Sequence, residues 1–325
     1  MFRTRITEMF GIKVPLIQAG MHRLGRTSLA AAVANAGGLG VITAGSFNTK
    51  EELLHEIRET RRLTSNPIAL NISIGRRRSP EMYFDVAVEE RIPIVFTSGA
   101  NPSDYVGRLK NHGIMWVHAV TSVKHALKVQ ELGADAVVAT GYEAGGHPGL
   151  DQVSTFVLVP SIVDAVRIPV IAAGGISDGR GLAAGLALGA EAVMVGTRFI
   201  LSDESLAHEN IKSLYLQAKE TDTVIIETSI RKNHRVIHTT NADKVIEMEI
   251  NGAGIDELLT VVGGEAYIKM MEQGDISAGV TSCGQGVGLV KTIKPAGEIV
   301  HEFVTVSSFA IKRLTEALGS GLKAK

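Results

Sequence analysis

The chain has 325 residues, enough for one large domain or two average ones. Its 33 basic and 34 acidic side chains nearly cancel to a formal charge of −1, so a polyanionic partner such as nucleic acid is not expected. One cysteine, Cys283, excludes an internal disulfide, and no apolar stretch approaches the roughly 18 residues of a membrane span, so a cytoplasmic protein without membrane partners is expected.

Short apolar runs rich in β-branched residues recur at 16–19, 39–43, 68–72, 92–97, 114–120, 136–139, 168–173 and 192–195. Most are apolar on both faces, the pattern of parallel strands covered on each side. Helical periodicity between them predicts helices at 27–36, 50–60, 123–132 and 180–188, with Ser122 and Asp178 as N-caps. Eight strand–helix units in about 200 residues predict an α/β fold, a closed (β/α)8 TIM barrel, with a doubly wound open sheet as the alternative. After Phe199 the chain turns more polar. Residues 202–283 carry charged helical stretches such as 204–220, interrupted by Arg231-Lys232-Asn233-His234-Arg235. This segment is expected to be a small, mostly helical subdomain inserted after strand 8 and packed over the barrel mouth. The basic run is expected to be a solvated face, or alternatively a phosphate contact. An amphipathic pattern at 284–318 is expected to close the outer ring, giving a barrel domain of 1–201 plus 284–325.

A barrel of this kind places its chemistry at the C-terminal ends of the strands. Gly20-Met21-His22 follows the first run, and Asn71 lies near the end of the third. The seventh ends in Ala173-Gly174-Gly175 and the eighth in Gly196-Thr197, the two loops where such barrels often hold a phosphate. Glycines there let backbone N–H groups approach anionic oxygens directly, with a helix N-terminus behind them. The plainer reading, tight strand-to-helix turns alone, is less economical for two adjacent loops.

After the sixth run, His147 is set between Gly145-Gly146 and Pro148-Gly149. An imidazole titrates near neutrality and can take or give a proton in one cycle, so His147 is the candidate acid–base residue, against the commoner reading of a loop histidine. No paired cysteines, HExxH or other ligand spacing suggests a metal site. Cys283 reads as a buried free thiol. No nucleophile elbow, Walker loop or dinucleotide fingerprint is present.

The opening Phe2-Arg3-Thr4-Arg5-Ile6-Thr7-Glu8 with Pro15, then Gln18-Ala19-Gly20-Met21 and the small-residue stretch at 31–40, form one set of motifs. Glu143-Ala144-Gly145-Gly146-His147, Ala173-Gly174-Gly175-Ile176-Ser177-Asp178-Gly179-Arg180-Gly181 and Gly196-Thr197-Arg198-Phe199 form another. Together they resemble the nitronate monooxygenase (2-nitropropane dioxygenase) family over essentially 2–310. The resemblance extends to NADH:quinone reductases and FMN-containing enoyl-ACP reductases. It implies FMN at the barrel mouth, with Gly20, Met21 and Asn71 along the ring and ribityl chain and Gly145 against the flavin. Ala173, Gly174, Gly175, Gly196 and Thr197 would hold the phosphate, His147 would be the active-site histidine, and His22 a further pocket residue. Gln285 resembles a glutamine-bearing segment near the site in enoyl reductases. Related quinone reductases carry a lysine after the fifth strand, where this chain has Ala119.

The activity implied first is FMN-dependent oxidation of nitronates or nitroalkanes by dioxygen to a carbonyl compound and nitrite. The alternative keeps FMN but takes electrons from NAD(P)H for a quinone or an enoyl-ACP. A flavin-free phosphate-binding lyase or isomerase is the rival of another class. A small-molecule substrate is expected in each case, with a homodimer as the assembly to look for.

Overall fold

In the computed structural model, which describes residues 2–75 and 79–318, eight parallel strands follow one another around a single sheet. They are β1 (Leu16–Gln18), β2 (Gly40–Thr43), β3 (Ile68–Ile74), β4 (Ile94–Gly99), β5 (Met115–Val120), β6 (Ala136–Thr140), β7 (Val170–Ala173) and β8 (Ala192–Val195). The spatial order is β1-β8-β7-β6-β5-β4-β3-β2, and a bridge between Ile17 and Leu39 joins the two ends. The fold is a (β/α)8 TIM barrel.

Alternation along the strands divides the apolar residues between two layers. Val41, Ile94, Phe96, Val117, Val138 and Ile171 point inward and fill the barrel. Their neighbours, such as Ile42, Val95, Trp116 and Val193, pack outward against the helices. The helix α1 (Arg5–Phe10) stoppers the N-terminal end: Ile6 and Phe10 are buried in the interior cluster, and the Phe10 ring meets Phe96 edge-on at 6.2 Å. Each fully buried side chain of this size contributes about 1.5–3 kcal/mol. With that end sealed, a ligand can enter only at the other.

The outer ring comprises α2 (Thr27–Asn35), α3 (Lys50–Leu63), α4 (Glu81–Glu89), α5 (Ser103–Lys110), α6 (Val123–Glu131), α7 (Thr155–Ala165) and α8 (Gly179–Ala187). Ser122 accepts from the His125 N–H and Asp178 from the Arg180 N–H, so both predicted caps form. After β8 come α9 (Thr197–Ile200), α10 (Glu209–Gln217), β9 (Thr223–Ile226), β10 (His234–Ile237), α11 (Thr240–Ile250), α12 (Ile255–Val262) and α13 (Gly264–Gln273). The last helix, α14 (Ala296–Ala317), lies against α8 and α2 and completes the ring as its amphipathic pattern predicts. None of the described helices is long and apolar enough to cross a membrane.

Two details between β8 and α14 differ from expectation. The stretch 204–220 is helical only over Glu209–Gln217. The basic run is a solvated face only in part: Arg231 and Lys232 are exposed, but the run leads into β10, which pairs antiparallel with β9. Asn233 and Arg235 are buried, because β10 also bridges back to Gly146 through paired backbone hydrogen bonds of 2.7 and 3.1 Å. The Arg235 guanidinium donates to Tyr142 O (3.1 Å) and Thr223 Oγ1 (3.0 Å) and lies over the Tyr142 ring. Partners distant in sequence therefore satisfy charges that sequence alone leaves to water. Ile226, Val236, Val245, Leu258 and Val261 form a small core behind the hairpin.

Candidate active site

A cavity of about 1330 Å³ opens at the C-terminal ends of the strands. Small-molecule sites usually span about 300–1,000 Å³, so this one has room for more than one ordinary ligand. Gly20, Met21, His22, Asn71, Gly145, His147, Ala173, Gly174, Gly175, Gly196 and Thr197 all contribute to its wall. Gln285 does not, although Gly284 and Gly286 on either side do.

One wall is the pair of loops after β7 and β8. Gly174 and Gly175 have φ of +102° and +69°, the left-handed region that favours glycine. Among the described residues, the backbone N–H groups of Gly175, Gly196 and Thr197 have no protein acceptor. The Thr197 hydroxyl accepts from the Gly284 N–H at 3.0 Å, and Ser177 Oγ donates to Gly286 O at 2.8 Å. These two bonds hold the segment at 284–286 across the loops. The nearest carboxylate, Glu143, is engaged elsewhere, accepting from the Thr155 N–H (2.9 Å) and hydroxyl (2.9 Å) at the start of α7. Free amides at the tips of two adjacent loops, with no competing anion facing them, suit a phosphate.

A second wall is formed by the tips of β1 and β3. A Cβ placed on Gly20 would lie 2.5 Å from the Asn71 side chain, so only glycine lets the two strand tips come together. The Tyr267 hydroxyl donates to His22 O at 2.9 Å, tying α13 to the loop after β1. The Thr43 hydroxyl is buried beside the cavity without a protein partner. A flat heteroaromatic ligand with polar edges fits this wall.

The third wall joins the loop after β6 to the hairpin. His147 is half-exposed, and its ring stacks on that of His234 with centroids 4.7 Å apart and planes 18° apart. Between them and the protein interior lies Glu227, 3 % exposed, with a φ of +62°. Its Oε2 is 3.0 Å from His234 Nδ1 and 3.8 Å from His147 Nε2, and Lys232 Nζ approaches Oε1 at 3.2 Å. Burial opposes ionisation of Glu227, but the two imidazoles and the lysine outweigh it and hold the carboxyl well below the usual carboxylate range. Burial lowers the proton affinity of His234, with Glu227 acting against it. Sequence reasoning noticed this region as a basic run and missed Glu227 and His234. Glu227 lies four residues before that run, and only the hairpin turn brings it back beside His234.

The ligand-capable atoms of His147, Glu227 and His234 lie within 4.8 Å of one another. An imidazole binds a metal in its own ring plane, and two nearly parallel stacked rings have no nearby point in both planes. The trio therefore does not make a metal chelate in this arrangement.

Two further groups lie close by. His118, 5 % exposed on β5, has Nδ1 at 2.7 Å from Thr97 Oγ1, which accepts from Trp116 Nε1–H. Burial pushes this imidazole down to about 4, so it is neutral at pH 7. Cys283 is fully buried and burial pushes its thiol up, which suits packing and not nucleophilic attack.

The nitronate monooxygenase family profile matches residues 3–305. The chain belongs to the nitronate monooxygenase family. It is an oxidoreductase of that family's flavin-dependent TIM-barrel type, which sets aside a flavin-free lyase or isomerase. A Rhodococcus jostii protein, (3aS,4S,5R,7aS)-5-hydroxy-7a-methyl-1-oxo-octahydro-1H-indene-4-carboxyl-CoA dehydrogenase, is 34 % identical over 98 % of both chains. A probable nitronate monooxygenase of Staphylococcus aureus is 36 % identical over 76 % of this chain and 81 % of its own. Among solved structures, FabK from Thermotoga maritima superposes with a TM-score of 0.93, at 37 % identity, over 98 % of this chain and 100 % of that one.

Proposed function

We propose that this member of the nitronate monooxygenase family is an FMN-dependent oxidoreductase that exchanges electrons between NAD(P)H and a large anionic acyl thioester. The observation that carries this reading is the cavity: about 1330 Å³, with Lys128, Arg231 and Lys232 on its wall and Glu227 as its one acidic residue among those described. A nitronate beside a flavin would leave much of that space to water, whereas a thioester on a phosphorylated carrier would use both its length and its cations. The Rhodococcus relative is named for a CoA thioester, and FabK offers the enoyl-ACP reductase alternative.

The residues present fit FMN. Gly175, Gly196 and Thr197 would hold the phosphate with backbone N–H groups. Gly20, Met21 and Asn71 would lie along the ring, with His22 and Gly145 at its margins. When bound, the flavin supplies hydride transfer at its ring. His147 holds or delivers the proton at the carbon next to the thioester carbonyl. Lys128 and Arg231 bind the anionic end of the carrier. Residues 202–283 form the subdomain that covers the mouth and limits water.

A second reading, oxidation of nitronates by dioxygen, is favoured by the likeness to the probable nitronate monooxygenase of Staphylococcus aureus. In that case His147 takes the proton of a neutral nitroalkane. Anaerobic stopped-flow mixing separates the two. The thioester reading expects rapid bleaching by NADH or NADPH, reversed by an enoyl thioester. Bleaching by a nitronate, with neither nucleotide effective, would replace it with the second reading.

A further inference from the structure

We infer that Glu227 and His234 are positioning residues for His147, the three side chains forming one proton-handling unit in which the hairpin supplies the charge partner of the loop imidazole. The inference rests on the reading of His147 as the group that moves a proton. It goes beyond it by assigning the hairpin's contribution.

Three observations carry it. First, Glu227 is placed at some cost. A non-glycine residue at φ +62° is uncommon, and a buried carboxylate needs partners. Its turn is held from behind by Glu249 of α11, which accepts from the Glu227 N–H (2.9 Å) and the Ser229 N–H (2.7 Å). The backbone is thus fixed so that the carboxylate faces the two imidazoles. Second, the stack fixes the ring of His147. His234 is held at one nitrogen by Ser282 Oγ (2.9 Å) and at the other by Glu227 (3.0 Å). The Nδ1 contact is close but off the N–H axis, so its strength is charge attraction and not an aligned hydrogen bond. A ring so held offers His147 a flat surface. Third, the loop bearing His147 is fastened to the same strand, by the bridge between Gly146 and Arg235 and by Asn233 donating to Gly149 O at 3.0 Å. The chain one residue before and two residues after His147 is therefore anchored to the hairpin.

The charge logic follows. Proton transfer to His147 creates an imidazolium on the cavity wall. Glu227 Oε2, 3.8 Å from His147 Nε2, is the one carboxylate of the described cavity wall able to stabilise it. The other charged or titratable groups around it are Lys232 and Arg231 on the hairpin, His234 in the stack, Glu143 on its own loop and the buried Cys283 thiol. Lys232 shares the Glu227 carboxylate, Glu143 is turned to Thr155, and the thiol is neutral. Removing the negative charge of Glu227 leaves two imidazoles and two cations facing one another, and every proton taken by His147 then adds to the repulsion.

The test is a cycle of four holoenzymes: wild type, His147→Gln, Glu227→Gln and the double variant. Turnover of the enoyl thioester or the nitronate, whichever the anaerobic stopped-flow mixing selects, is followed against pH, with flavin content measured on each. The inference expects Glu227→Gln to keep its flavin and its KM and to lose about 10- to 100-fold in kcat. The imidazole limb of its pH profile should move to lower pH, and the double variant should be no slower than His147→Gln alone. Glu227→Asp should restore part of the rate, and Glu227→Ala replaces Glu227→Gln in the cycle if that variant does not fold. An unshifted profile in the variant that removes the charge of Glu227, or losses that multiply in the double variant, overturns the inference. Unchanged turnover in His147→Gln instead overturns the underlying reading of His147, so the two failures are distinguishable.

Discussion

Two walls of the cavity, the loops after β7 and β8 and the hairpin, are built by different means. The loops after β7 and β8 take their shape from local rules: strand ends, left-handed glycines and a capped helix start lie within a few residues of one another. The hairpin wall takes its shape from contacts across long stretches of chain: Gly146 with Arg235, His234 with Ser282, Glu227 with Glu249. One wall is a rigid part of the barrel, suited to holding a cofactor by its backbone. The other brings side chains of several segments to one point, suited to chemistry and to choice of substrate. Substitutions in the first should therefore act on cofactor retention, and substitutions in the second on rate and selectivity.

The sharpest break of that contrast is Gly175→Asp. It places a carboxylate against the amides, strains a φ of +69° and brings its Cβ within 3.3 Å of the Glu143 Cβ. The protein should purify without flavin, read as loss of visible absorbance; full flavin occupancy would show that the phosphate lies elsewhere. Next is His147→Asn, which should keep the flavin and slow turnover by roughly 10²–10⁴, the scale of general acid–base catalysis. Unchanged turnover with bound flavin would remove His147 from the chemistry.

Arg235→Ala tests the hairpin's anchorage. It deletes two hydrogen bonds of a buried guanidinium and its contact with the Tyr142 ring. A loss of about 2 kcal/mol in unfolding free energy is expected, with flavin still bound. Loss of flavin at unchanged stability would mean the two walls are not separable.

The last effect is a pH slope. His118 is pushed down by burial to about 4 from an ordinary 6.5, so between these values the unfolded chain binds the proton and the folded chain does not. Stability therefore falls as pH drops from 6.5 towards 4, by about 3 kcal/mol at most. Thermal melts of His118→Gln should show a flatter decline over that window than the wild type. Equal declines would assign the acid sensitivity to other groups.

Much of the barrel was legible because its signals are local. Runs of apolar β-branched residues set the eight strands to within two residues at most ends, and Ser122 and Asp178 marked helix starts. The glycines at 174, 175 and 196 marked the cavity wall for the same reason. Glu227 and His234 were not legible. Nothing in Glu227-Thr228-Ser229-Ile230-Arg231 announces a buried carboxylate, since burial arises only when β10 bridges to the loop after β6. Arg235 misled for a related reason: a charged residue in a basic run is normally solvated, and its partners, Tyr142 and Thr223, are 93 and 12 residues away. Gln285 shows a subtler limit. The segment does reach the cavity, but through the glycines on either side of it.

The central claim is that the glycine loops hold a flavin phosphate while the hairpin wall faces its ring. A crystal structure of the protein with FMN tests this most directly. The account predicts phosphate density on the N–H groups of Gly175, Gly196 and Thr197, with the ring between Asn71 and the His147 imidazole. Phosphate density elsewhere, or a ring separated from His147 by protein, would contradict it.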